Sequence, residues 1–145
     1  MDFSYAASIS ASGMDVERAR LDASAINLAN VHTTRTADGG PFKPLRVISG
    51  FGTVTPFSGT FANAARTIPG VRLVNIQQSN VAPRVAYEPG HPDANQHGFV
   101  AYPGVDSTVE MVNLMTAVRS YEANLIAMNA AKAMATKALE IGGNS

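Results

Sequence analysis

The densest run of ligand-type side chains is Glu-Pro-Gly-His-Pro-Asp-Ala-Asn-Gln-His-Gly, from Glu88 to Gly98. Glu88, His91, Asp93 and His97 offer carboxylate and imidazole donors of the kind zinc or manganese accepts. On that chemistry, one reading is a small periplasmic metal-dependent hydrolase or binding protein centred on His91-His97. Spacing counts against it. Two histidines six apart in a Pro/Gly loop share no helix face, and no His-Glu-x-x-His pattern is present. The plainer reading is a tight turn, with Pro89-Gly90 and Pro92 fixing backbone angles and Asp93 or Asn95 bonding back to the chain. No catalytic residue, metal ligand or cofactor site is therefore assigned, and the chain is read as a non-enzyme.

Other chemistries fare no better. The many serines and threonines lack a Gly-x-Ser-x-Gly context. His32 stands alone in a polar loop and reads as a helix-end or interface residue. Gly39-Gly40-Pro41 has neither the Gly-Lys-Ser/Thr ending nor the following helix of a phosphate loop, so it reads as a turn. Cysteine is absent, which removes disulfides, thiolate nucleophiles and thiolate-bound zinc and suits an oxidising or extracytoplasmic setting. Eleven basic residues balance eleven acidic ones, leaving no basic footprint for phosphates, so nucleic acid is not expected as a partner. No apolar run approaches the ~20 residues a bilayer requires. Nor does the start of the chain carry the basic and continuous apolar regions of a cleaved secretion signal. A methionine-rich segment near the end lacks the basic face of a lipid-binding helix, so direct membrane insertion is not expected.

The elements that would carry these residues follow from composition. Of 145 residues, all eight prolines and nine of the twelve glycines fall within 38–104, whereas 3–30 holds one glycine and no proline and 105–141 holds neither. The order is helix, irregular or β, helix. In the first helix Ala7, Ala11, Met14, Arg18, Leu21, Ala25 and Leu28 recur at alternating spacings of four and three. In the last, Met111, Leu114, Val118, Tyr121, Leu125, Met128, Lys132, Ala135 and Leu139 do the same. Seven-residue periodicity sustained over several heptads favours a supercoil with a partner helix. Asp106, Ser107 and Thr108 offer N-cap oxygens, Glu110 would complete a capping box with Ser107, and Gly142-Gly143 would provide the C-cap.

Between the helices, Pro44–Phe57, Gly70–Ser79, Ala82–Gly90 and Gly98–Gly104 are short segments rich in Val, Ile, Phe and Tyr, separated by turn residues. Val-Arg-Leu-Val-Asn-Ile, 71–76, alternates partly like a half-buried strand, and 50–70 reads as a mobile loop or extra hairpin. The expected fold is α+β: two long terminal helices in an antiparallel coiled coil with a small β-rich insertion. Its parts are an N-terminal helix over 1–32, a β-rich insertion over 33–104 and a C-terminal helix over 105–145.

Two such helices do not close a core. Val112, Met115, Ile126 and Met134 lie off the seam, and burial at about 25 cal/mol per Å² on an alanine-rich hairpin does not offset an ordering entropy of about 1 to 2 kcal/mol per residue. The helices are therefore expected to complete their packing against other subunits, with folding coupled to assembly. Asn27 and Asn30, three apart near the end of the first helix, fit a cap followed by a loop. They also fit polar pins that fix register between packed helices.

Ile9–Phe42, with its Asn-Leu-Ala-Asn element at 27–30, resembles the N-terminal signature of the bacterial flagellar rod, hook and hook-associated axial proteins. Val105–Met134, with Glu110-Met-Val-Asn113 and Ser120-Tyr-Glu-Ala-Asn124, resembles their partner helix. The middle segment, Val85–Asp106, is most similar to the short proximal-rod members. Together these cover about two thirds of the chain, and 51–70 matches no pattern of the family.

The resemblance implies a structural subunit of the basal-body rod, polymerising as a helical tube that transmits torque from motor to hook and filament. Terminal helices would form an inner layer and β insertions an outer one. Export would run through the flagellar type III apparatus without a cleaved signal, into the periplasm-spanning rod. The implied partners are copies of the chain, other rod proteins, and adjacent components such as the MS ring and the export-gate adaptor. The candidate assembly interface is Met14, Leu21, Asn27, Leu28 and Asn30 on the first helix. On the last it is Met111, Leu114, Val118, Tyr121, Asn124, Leu125 and Met128.

Overall fold

The structure, a computed structural model, describes residues 3–54 and 68–143. Helix α1 spans Phe3–Ala29, followed by strands β1 Leu45–Val54, β2 Ile68–Gln78, β3 Arg84–Tyr87 and β4 Phe99–Tyr102, and by helix α2, Ser107–Gly143. The class is α+β as expected. β1, β3 and β4 fall within the segments marked out by β-branched and aromatic residues, and β2 starts at Ile68, two residues before its segment. They form two two-stranded sheets, β1-β2 and β3-β4. Of the segment 50–70 read as a loop or hairpin, the two ends belong to β1 and β2, and 55–67 lies outside the described residues.

The chain divides into two compact units. One lies within Met1–Ala19, Ile48–Asn75 and Thr116–Ser145, the other comprises Arg20–Val47 and Ile76–Met115. Both helices and both long strands contribute to each.

At 37 residues, α2 is about 55 Å long. It starts where Asp106 Oδ1 accepts the N–H groups of Thr108 at 2.8 Å and Val109 at 3.3 Å, and its carbonyl takes the Glu110 N–H at 3.0 Å. Asp106 is thus the cap. The capping box expected between Ser107 and Glu110 does not apply, because the cap sits one residue earlier and places Val109 at the third helical position. The expected stop at Gly142 is also corrected, since the helix runs through both glycines to Gly143.

In the second unit, β3 and β4 pair antiparallel, with Arg84 opposite Tyr102 and Tyr87 opposite Phe99. Alternation on β4 puts Val100 and Tyr102 inward, Val100 with no exposure at all, and leaves Phe99 exposed. Burying a valine side chain contributes about 1.5 kcal/mol or more. Tyr87 and Phe99 meet edge-to-face at 5.3 Å on the outward side. Gly98 closes the loop at φ +77°, where a Cβ would also stand 2.9 Å from the Tyr87 ring, so two constraints require glycine there. The half-buried alternation expected for 71–76 is not realised. Leu73 and Ile76 are both exposed, because a two-stranded sheet covers only what another layer packs against it.

Replacing Asp106 by alanine should lower the stability of α2 by about 1 kcal/mol, whereas Ser107→Ala should change it by a few tenths at most. Thermal unfolding followed by circular dichroism distinguishes the two caps.

Candidate assembly interface

Asn27 decides the geometry at the end of α1. It is 2% exposed, and its side-chain amide faces the backbone of Leu45, the first residue of β1. The amide Nδ2 donates to the Leu45 carbonyl at 2.9 Å and Oδ1 accepts the Leu45 N–H at 2.7 Å. A primary amide has the same donor and acceptor pair as a peptide unit, so Asn27 pairs with Leu45 as a neighbouring strand would. Asn30 does a separate task. Its N–H reaches the Ile26 carbonyl at 3.1 Å, its Nδ2 reaches the same oxygen at 2.9 Å, and its Oδ1 accepts from Thr33 Oγ1 at 3.1 Å. That network ends the helix and starts the turn. The polar atoms of both asparagines are thus engaged within the chain.

Around the loop Glu88–Gly98 the ligand-type residues turn to different partners. Tyr102 Oη donates to Glu88 Oε2 at 2.8 Å. Asp93 accepts from Thr34 Oγ1 at 2.8 Å and lies 3.6 Å from Arg35. Asn95 Oδ1 takes the N–H groups of His97 and Phe99, so Asn95 bonds back into its own loop as expected, while the Asp93 carboxylate reaches across to the segment after α1. Among the described residues, no group of three or more His, Asp or Glu side chains is placed to hold a metal ion.

Tyr102 is the centre of this cluster. His32 and His91 meet its ring edge-on at 6.4 and 6.3 Å, and the Arg84 guanidinium lies 5.4 Å above it. The hydrogen bond to Glu88 raises the Tyr102 hydroxyl above the usual phenol range, helped by burial and the Glu88 charge and opposed by Arg84.

On the helices of the first unit, Gly13 lies against Asn124. A Cβ on Gly13 would stand 2.8 Å from Asn124 Nδ2, so only glycine lets the Asn124 amide lie so close. Ala117 and Ala131 on α2 and Val16 on α1 are each 2% exposed. The stripe of low exposure on α2 runs Leu114, Ala117, Tyr121, Asn124, Met128, Ala131, Ala135, again at spacings of three and four. It shares Leu114, Tyr121, Met128 and Ala135 with the expected heptad. Ala117, Asn124 and Ala131 replace Val118, Leu125 and Lys132. Val118 and Leu125 are exposed, and Met111 is exposed to 51%. On α1, Met14, Leu21 and Leu28 are half-buried and Arg18 and Ala25 exposed, and Asn30, just past the helix end, is half-buried.

Sequence reading missed the roles of Leu45, Gly13 and Tyr102. Gly13 had a signal, as the one glycine within α1. The partner of Asn27 had none, because a backbone group 18 positions away leaves no trace in residue type.

Two long helices that leave large apolar side chains exposed, with two small sheets between them in the chain, fit a structural protein. Residues 96–141 match the family model described as flagellar basal body rod FlgEFG protein C-terminal. Over 145 aligned residues the chain is 37% identical to the flagellar basal-body rod protein FlgC of Bacillus subtilis, covering 95% of this chain and 97% of that one. It is 34% identical to that of Borreliella burgdorferi, at 92% and 93% coverage, and 36% identical to that of Aquifex aeolicus, at 97% of each. The chain belongs to the FlgC family of flagellar basal-body rod proteins, which are structural components and not enzymes.

Asn27→Ala should destabilise the fold by about 1 to 3 kcal/mol for each Leu45 group left buried and unpaired. Asn27→Asp should do no better, since it turns a carboxylate toward the Leu45 carbonyl. Denaturant unfolding of both variants checks this. For Tyr102, a folded pKa above the unfolded value means the contribution is complete below about pH 10 and is lost as pH rises through the folded value. Stability measured against pH should fall there, and Tyr102→Phe should remove that part of the fall.

Proposed function

We propose that the chain polymerises as a helical tube in the proximal rod and transmits torque from the motor toward hook and filament. In this reading the helices of 1–32 and 105–145 form an antiparallel coiled coil in the inner layer, and 33–104 faces outward. The Gly13 to Asn124 approach supports the helix pairing. So does the groove at the other end of the first unit, where Phe3 shares a lining with Ala133, Met134, Lys137, Ala138 and Ile141. A residue ten positions earlier on α1 then meets α2 about ten positions later, as antiparallel helices require.

The observation that carries the assembly reading is the exposure of large apolar side chains along α2. Met111, Met115 and Val118 stand exposed in a single copy, and Ile126 reaches 69%. Large apolar side chains grouped at a surface mark an interaction site. A tube of like subunits uses heterologous contacts, so this face meets a different face of its neighbour. Copies of the chain and other rod proteins are the proposed partners, with the MS ring and export-gate adaptor at the base. Export follows the flagellar type III route in this reading. Among the described residues no helix is long and apolar enough to cross a membrane.

Leu125, 38% exposed, tests the interface. Leu125→Asp should leave export of the subunit near wild-type level and reduce its incorporation into rods at least tenfold, since a buried unpaired carboxylate costs several kcal/mol. Export measured from secreted fractions and incorporation measured from isolated basal bodies separate the two steps. A variant that incorporates normally overturns this face as the interface.

A further inference from the structure

The loop between β3 and β4 holds the segment after α1 through one carboxylate. Asp93 joins Thr34 at 2.8 Å and Arg35 at 3.6 Å, residues nearly sixty positions away in sequence. Asp93 is itself held at its backbone, where its N–H donates to His91 Nδ1 at 3.1 Å. An asparagine or aspartate at 91 would make the familiar turn in which a side-chain oxygen accepts the N–H two residues on. Here an imidazole nitrogen takes that oxygen's place. The substitution changes the chemistry, because imidazole accepts at Nδ1 only when neutral with its proton on Nε2. A second proton goes to Nδ1 and sets a donor against a donor.

We propose that His91-Pro92-Asp93 is a proton-sensitive latch. Neutral His91 fastens Asp93, and through it Thr34 and Arg35. Protonated His91 releases the Asp93 N–H and loosens the hold of the hairpin loop on the segment after α1. The proposal concerns a contact inside the second unit and does not depend on the assembly reading.

The surroundings of His91 carry charge of both signs. Its ring is half-buried against Tyr102 of β4, 6.3 Å between centroids. The Tyr102 hydroxyl is bound to Glu88 from the same loop as His91. Arg84 of β3 lies over the Tyr102 ring, His32 from the segment after α1 meets that ring edge-on, and Arg35 approaches Asp93. Glu88 and Asp93 bring negative charge to this cluster, and Arg84 and Arg35 bring positive charge. With carboxylates and guanidiniums on either side, the local feature that only one form of the ring can satisfy is the Asp93 N–H.

The interval from about pH 7.5 down to about pH 5.5 spans the value of a free imidazole and lies above that of a free carboxylate. The measurement is amide hydrogen exchange at Asp93 in the full chain by NMR, corrected for intrinsic exchange, across that interval. Protection in the wild type should fall about fivefold, as loss of one hydrogen bond predicts. His91→Asn keeps an acceptor near the same place and cannot titrate, so its protection should stay constant, while His32→Asn should fall as the wild type does. Nitrogen NMR of the wild-type imidazole at the upper pH should show His91 protonated at Nε2. Any of four results overturns the latch: an Asp93 amide unprotected at the upper pH, no fall across the interval, a fall that persists in His91→Asn, or His91 carrying its proton on Nδ1.

Discussion

The pairing of the Asn27 amide with the backbone of Leu45 is the constraint around which the second unit is organised. A helix exhausts its own hydrogen bonds along its axis and offers none sideways, so it cannot join a sheet through its main chain. Asn27 supplies the missing edge. Its buried amide stands in for a peptide unit and accepts and donates at the first residue of β1, which fixes where the strand begins relative to the helix end. The intervening turns are then determined at both ends. Asn30 and Thr33 close the helix side, Phe42 N–H returns to the Thr33 carbonyl at 3.0 Å, and the Pro44 carbonyl takes the Ser79 N–H at 2.7 Å. A second tie, from Thr34 and Arg35 to Asp93, attaches the same segment to the β3-β4 hairpin loop.

Polar ties of this kind matter because apolar burial is sparse. Among the described residues, the buried apolar side chains other than proline are Val16, Ala23, Val100, Tyr102, Ala117 and Ala131, and half of these are alanines with little area to contribute. Leu139 and Ile141 meanwhile stand 77% exposed. In such a chain the unique geometry comes from directional hydrogen bonds, each modest in net energy but expensive to leave unmade once buried. Serines 10 and 12, buried on α1, return their hydroxyls to the carbonyls of Ala6 and Ile9. They stay satisfied without a partner helix and occupy little space.

The sequence made the elements legible wherever one residue type dominates the local physics. Proline is absent from both helices and glycine, apart from Gly13, is absent up to Ile141, β-branched and aromatic residues mark all four strands, and the cap-forming run Asp106–Thr108 marks the start of α2. It left obscure whatever depends on partners distant in the chain. The two asparagines at 27 and 30 were visible as a pair, yet their residue type is equally suited to a cap, a pin between helices or a strand surrogate. The run from Glu88 to His97 is legible as a turn, but that Asp93 leaves its own loop for Thr34, while Asn95 remains to close it, follows from the fold and not from spacing.

The phase of the α2 stripe shows why apolarity alone assigns helix faces poorly in an assembling protein. Counting large apolar residues selects Val118 and Leu125, yet the positions of lowest exposure are Ala117 and Ala131, with Asn124 between them against Gly13. Small residues permit the close approach of backbones that a short intramolecular seam requires, whereas large ones would hold the helices apart. Leu114, Tyr121, Met128 and Ala135 belong to both stripes, so α2 carries two overlapping seven-residue repeats that differ by one position at every other step, which turns their centres by roughly 50°. One serves the chain's own packing. The other leaves Val118 and Leu125 at the surface, and in the proposed tube it is this second repeat that a neighbour covers. In that proposal a helix with one repeat would serve either folding or assembly, and the division between alanine and the larger aliphatics would let α2 serve both.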